Sequence, residues 1–125
     1  MEQTFGSYVR EKRMARGLSL RALAAKLEVS PVYLSNIEND RWPAPTLETL
    51  NHLIEILGLC QTDAELLLDL AAKSRTQRVS ADLPEYIMER DIVRAALRTA
   101  KEVDATDEEW QEFIDRITQR GKRGE

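Results

Sequence analysis

Cysteine occurs once in this 125-residue chain, at Cys60, so no intrachain disulfide can form and no oxidising compartment is required. No apolar run approaches the roughly 20 residues that a membrane span needs. The opening Met1-Glu2-Gln3-Thr4 has neither the basic end nor the apolar stretch of a secretory leader. Together these absences predict a cytoplasmic protein with no membrane role. Alternating strand patterns, internal repeats and glycine-rich phosphate loops are also missing. His52 has no Cys or His partner at metal-ligand spacing, so no metal or other cofactor is expected. Cys60 reads as a small apolar plug. The acids Asp107, Glu108, Glu109 and Glu112 open a helix, where negative charge favours the dipole. No constellation of catalytic groups is visible, and the chain is not expected to be an enzyme.

Excess positive charge is lacking too. The net charge is −4. Its distribution is more informative than its sum. Residues 1–58 are balanced, and residues 59–125 carry the whole negative excess. Within the first part, Arg10, Lys12, Arg13, Arg16, Arg21 and Lys26 crowd together with Glu11 as the one acid among them. A nucleic-acid partner would meet a local basic footprint here, whatever the global balance.

What is present is helix. Hydrophobic residues make up 42% and charged residues 32%, with Leu, Ala, Glu and Arg abundant. The periodicity predicts seven helices. The first begins near Thr4, carries Phe5, Val9 and Met14 on one face and ends at Gly17. The second follows Ser19, an N-cap, with Leu20, Leu23, Ala24 and Leu27 inward. The third opens on Ser30-Pro31, a cap followed by proline where its missing N–H costs nothing. Asn39 to Pro45 forms a rigid loop. The fourth starts at Thr46, buries Leu47, Leu50, Leu53, Ile54 and Leu57, and ends at Gly58. Thr62-x-x-Glu65 marks the fifth as a capping box. A polar connection from Ser74 to Ala81 leads to a sixth helix from about Leu83 to Val103. A second capping box, Thr106-x-x-Glu109, opens the seventh, with a stripe of Trp110, Phe113, Ile114 and Ile117. Such a stripe is core by default, or a seam for a dimer or partner. Gly121 to Glu125 is expected to fray.

The segment from Gly17 to Asn39 has the logic of a helix-turn-helix: two short amphipathic helices flank a tight turn. Ala24 is small enough for close crossing, and Val29 plugs the turn. The ordered occurrence of GLS, LA, VS, YLSNIE and P-TLETL resembles the Cro/CI (xenobiotic-response-element type) family of repressors over about Phe5 to Leu59. The resemblance implies an all-α, five-helix lambda-repressor-like DNA-binding domain over residues 1–73. A C-terminal two-helix extension over residues 74–125 would dimerise or bind a partner. It also implies that the third helix enters the major groove of duplex DNA.

Position by position, Arg13 and Glu38 match the family's buried ion pair. Pro31, Val32, Ser35 and Asn36 match the outward recognition face, with Ser30 at its cap. Asn36 is suited to adenine N6 and N7, and Val32 to a thymine methyl. Tyr33, Asn39, Arg41 and, on the second helix, Arg21 match phosphate-contacting positions. Leu20 stands where a phosphate-contacting Gln is common. Ala22 removes the capping box after Ser19. Glu28 takes the turn position often held by glycine, where a left-handed backbone costs about 1–2 kcal/mol. The recognition face has no Arg or Lys before Arg41, so a homodimeric repressor reading a pseudo-palindromic operator is the expected form. Two alternatives remain: an antitoxin or mobile-element immunity regulator whose C-terminal helices hold a partner protein, and a protein-interaction module without DNA binding.

Overall fold

A computed structural model describes residues 3–75 and 79–123; these hold eight α-helices and no strand. They are α1 (Phe5–Ala15), α2 (Leu20–Leu27), α3 (Pro31–Glu38), α4 (Leu47–Leu57), α5 (Gln61–Lys73), α6 (Pro84–Glu89), α7 (Asp91–Val103) and α8 (Asp107–Arg123). The chain divides into two compact units, residues 1–84 and 85–125. No helix among the described residues is long and apolar enough to cross a membrane.

In the first unit α1 packs on α3 and α5, α2 on α3 and α4, and α4 on α5. The core is almost wholly aliphatic: Leu23, Leu34, Leu50, Leu53 and Leu67 are fully enclosed, with Phe5, Tyr8 and Val9 beside them. The apolar face of α1 differs from the expected one. Met14 is exposed and Tyr8 is buried. Nine positions at 100° each put Met14 opposite Phe5, whereas Tyr8 and Val9 fall three and four positions on. Leu47 is likewise exposed, because the first turn of α4 precedes the part of the helix that reaches the core.

Caps define the ends. Thr4 and Ser7 form a reciprocal box at α1. Ser19 and Ser30 accept the N–H groups of Ala22 and Tyr33, both at 3.0 Å. Gly17 closes α1 in the left-handed region, and its N–H reaches the Met14 carbonyl at 2.9 Å. The box expected at Thr62 does not form. Helix α5 starts earlier, with Cys60 as an extended N-cap and no side-chain cap bond, which places Thr62 inside the first turn. Cys60 is exposed at that corner and is no plug.

Helices α1 and α5 are tied at Asp63. The Tyr8 hydroxyl donates to its carbonyl at 3.0 Å, and Lys12 Nζ donates to its carboxylate at 3.0 Å. Burial raises the Tyr8 pKa above its ordinary value, and the bond to Asp63 raises that of Lys12. At the unit's end, Ser80 is buried and donates to Asp69. The expected polar connection includes residues 76–78, which lie outside the described residues.

The second unit corrects the single long sixth helix. Arg90 is extended (φ −127°, ψ 112°) and separates α6 from α7. The Arg94 guanidinium donates to the carbonyls of Ile87 at 3.0 Å and Met88 at 2.6 Å, serving acceptors at the end of α6. The box at Thr106 does form: Glu109 N–H reaches Thr106 Oγ1 at 3.1 Å, and Thr106 N–H reaches Glu109 Oε1 at 3.0 Å. Helix α8 runs through Gly121 to Arg123 rather than fraying at Gly121; residues 124 and 125 lie outside the described residues.

Candidate functional site

The turn between α2 and α3 sets the geometry of the outward face. Glu28 is left-handed (φ 61°, ψ 40°), and the N–H of Val29 bonds the Ala24 carbonyl at 3.0 Å. Val29 is half-buried against the core, and Ala24 is enclosed beneath the crossing. Glu28 is exposed and has no side-chain partner among the described residues, so nothing local offsets its backbone strain. Replacing Glu28 with glycine should therefore stabilise the fold by about 1 kcal/mol. Urea unfolding should show a higher midpoint at unchanged slope; an unchanged or lower midpoint would contradict the strain.

Helix α3 spans about 12 Å. Leu34, Ile37 and Glu38 face inward. Pro31 and Val32 face solvent, Val32 at 68% exposure, and Ser35 and Asn36 are half-buried beside them. Asn36 Nδ2 donates to the Val32 carbonyl at 3.1 Å, and its amide oxygen has no donor among the described residues. Ser30 Oγ accepts the Tyr33 N–H, so its own hydroxyl proton is available. Tyr33 is half-buried and leans on Trp42, ring centroids 5.6 Å apart. Asn39 is engaged at both ends of its amide: it accepts from Arg10 at 2.8 Å and donates to the Ser35 carbonyl at 2.8 Å.

The end of α3 is anchored by charge. Arg13 Nε and Nη2 donate to the two Glu38 carboxylate oxygens at 2.7 and 3.0 Å, and Arg13 Nη1 donates to the Leu18 carbonyl at 3.0 Å. Arg10 Nε adds a longer contact to Glu38 at 3.4 Å. The Glu38 side chain is 1% exposed and that of Arg13 13%. Hydrogen bonding to Glu38 raises the Arg13 pKa further, so the guanidinium stays charged.

These bonds redraw the basic footprint. Arg10, Lys12 and Arg13 are paired inside the first unit. Arg16, Arg21, Lys26 and Arg41 are exposed and have no side-chain hydrogen bond or ion pair among the described residues. Arg21 lies in the first turn of α2, and Arg41 follows α3 directly. Half of the basic crowd from Arg10 to Lys26 is thus engaged within the fold, and Arg16, Arg21 and Lys26, with Arg41 beyond α3, remain open to a partner.

Several contributors were not read from the sequence. Asp40 is left-handed (φ 58°) and accepts from Thr4 Oγ1 at 2.6 Å and the Gly6 N–H at 2.9 Å, tying the end of α3 to the start of α1. An Asn-Asp pair after a helix is a signal for such a backbone. Arg75 holds the loop by donating to the carbonyls of Ala44 and Pro45. No cluster of three or more His, Cys, Asp or Glu suited to a metal occurs among the described residues.

A family model described as a helix-turn-helix domain matches residues 4–67. Over 93 residues the chain is 38% identical to the HTH-type transcriptional regulator RamB of Mycobacterium tuberculosis, strains CDC 1551 / Oshkosh and ATCC 25618 / H37Rv alike. That match covers 74% of this chain and only 18% of the length of those relatives. Among solved structures, a chain of a SinR protein/SinI protein complex is 22% identical, with a TM-score of 0.48, over 95% of this chain and 99% of that one.

Proposed function

The chain belongs to the helix-turn-helix domain family, and from that premise we propose that it is of the Cro/CI type, binds duplex DNA in a sequence-dependent way and regulates transcription as a homodimer. One observation carries the reading: Pro31 and Val32 on the outer face of α3 are open to solvent, and Arg21 and Arg41 are exposed without a side-chain partner among the described residues. Such a face fits the major groove, with cations placed for the phosphates. In this reading Pro31, Val32, Ser35 and Asn36 meet base edges. Arg21, Arg41 and the Ser30 and Tyr33 hydroxyls meet the backbone, and Asn39 orients Arg10 and Ser35. The similarity to the transcriptional regulator RamB supports the regulatory role. Two recognition helices about 34–36 Å apart would read a pseudo-palindrome.

Quantitative footprinting on the DNA upstream of the protein's own gene, across salt concentrations, tests this. Asn36→Ala should change preference at one base pair by about 1–3 kcal/mol. Arg41→Ala should weaken all sequences alike and reduce the salt slope by about one. Absence of duplex binding, or binding indifferent to salt, would leave the interaction-module reading in its place. The exposed apolar residues of α7, among them Ile92 and Val103, favour one companion reading, a regulator that also holds a protein partner. Co-purification of a neighbouring gene product would support it.

A further inference from the structure

Helix α8 combines two patterns that no other helix of the chain shares. Its first part contains Asp107, Glu108, Glu109, Glu112 and Asp115 and no base; its last part contains Arg116, Arg120, Lys122 and Arg123 and no acid. Along one face run Trp110, Phe113, Ile114 and Ile117. Phe113, Ile114 and Ile117 are 53%, 52% and 42% exposed, and Trp110 meets Phe113 edge-on at 6.1 Å. An apolar stripe on a helix otherwise this charged is left without a cover.

We infer that α8 pairs antiparallel with α8 of a second copy of this chain, stripe against stripe. The occupant follows from charge. An antiparallel pair sets the acidic part of each helix against the basic part of the other, whereas a parallel pair sets acid beside acid and base beside base. Helix α7 offers no such complement, because Asp91, Arg94, Arg98, Lys101 and Glu102 mix signs along its length. The geometry also closes. The middle of the stripe falls between Phe113 and Ile114, and the sign change falls between Asp115 and Arg116. The two are about 3 Å apart along the axis, within one turn, so one two-fold axis serves both. The inference rests on the proposed dimeric regulator and names the seam that holds it together.

Sedimentation of the full chain tests the pairing. The wild type should be dimeric. Reversing the basic part (Arg116→Glu with Arg120→Glu), which leaves the Thr106–Glu109 cap intact, should weaken the dimer by about tenfold or more, because attraction becomes repulsion at each end. Reversing the acidic part (Glu109→Lys with Glu112→Lys) should do the same, with loss of that cap added. All four changes together should restore it. A monomeric wild type, reversals without effect, or a helical fourfold variant that stays monomeric would each overturn the pairing.

Disulfide trapping in a Cys60→Ser background gives a second measurement independent of those variants. A cysteine replacing Ile114 lies by the axis and should couple to its own copy. One replacing Glu108 lies about 16 Å along the helix from its counterpart, beyond disulfide reach, and should not couple. Coupling at Glu108, or at neither position, overturns the pairing. Salt-dependent DNA binding by the same preparation separates the two failures: a monomer that binds DNA removes the seam and keeps the regulator, and a dimer that ignores DNA does the opposite.

Discussion

Replacing Glu38 with alanine should cost about 3–5 kcal/mol of folding stability, a large part of the 5–15 kcal/mol that a domain usually has. The cost comes from what remains rather than from what is removed. Arg13 keeps one hydrogen bond, to the Leu18 carbonyl, while two of its donors lose their acceptor. Its side chain is only 13% exposed, and an arginine does not shed its proton inside a protein. An uncompensated charge stays buried. Urea unfolding of three variants separates this from a simple packing defect. Glu38→Gln keeps the shape and one acceptor and should lose about 1–3 kcal/mol. The double replacement Arg13→Met with Glu38→Leu removes both charges and should lie near the wild type, well above Glu38→Ala. A loss below about 1 kcal/mol for Glu38→Ala would mean that the pair behaves as a solvent-screened one. Because Glu38 is the last residue of α3, the same variant should also loosen the seat of α3 against α1.

Which parts of this were open to sequence reading follows from how local each signal is. The left-handed residue at Glu28 and the caps at Ser19, Ser30 and Thr106 depend on a few neighbouring residues, and the pattern names them. The burial of Leu23, Leu50 and Leu53 follows from periodicity alone. The tie between Lys12 and Asp63 joins residues far apart in the chain, and so does that between Arg10 and Glu38. No spacing rule reports such pairs. Hence the basic crowd from Arg10 to Lys26 read as a surface footprint, whereas half of it is occupied inside the fold. The break at Arg90 has neither glycine nor proline to announce it. It rests on a side chain, Arg94, that serves the carbonyls a continuous helix would have used. The start of α5 one residue before Thr62 is the same kind of miss: the motif is present, but the chain leaving Gly58 enters the helix earlier.

Gly6 offers the sharpest test of how α3 is seated, because alanine there sets two large effects against each other. Alanine gains about 0.5–1 kcal/mol over glycine in a helix interior, and at Gly6, in the first turn of α1, no more than that. Here a β-carbon would stand 2.5 Å from the Ile37 carbonyl oxygen, closer still to that of Glu38, and 2.7 Å from Asp40 Oδ1. Two of these three are backbone atoms at the end of α3 and cannot swing aside. Helices α1 and α3 must separate, and the separation pulls on the Asp40 bonds to Thr4 and Gly6 and on the Arg13–Glu38 pair. Overpacking of this kind costs about 1–3 kcal/mol and more where polar contacts are broken with it. Gly6→Ala should therefore lose at least about 2 kcal/mol net despite its better helix propensity. The neighbouring Ser7→Ala, exposed on the same turn, should lose no more than its share of the capping box, about 1 kcal/mol. A Gly6→Ala variant as stable as the wild type would show that α1 and α3 do not meet backbone to backbone, and the orientation given to α3 would fall with that contact. If the loss appears as stated, DNA binding measured below the variant's unfolding temperature should still fall, since the displaced element is the helix proposed to enter the groove.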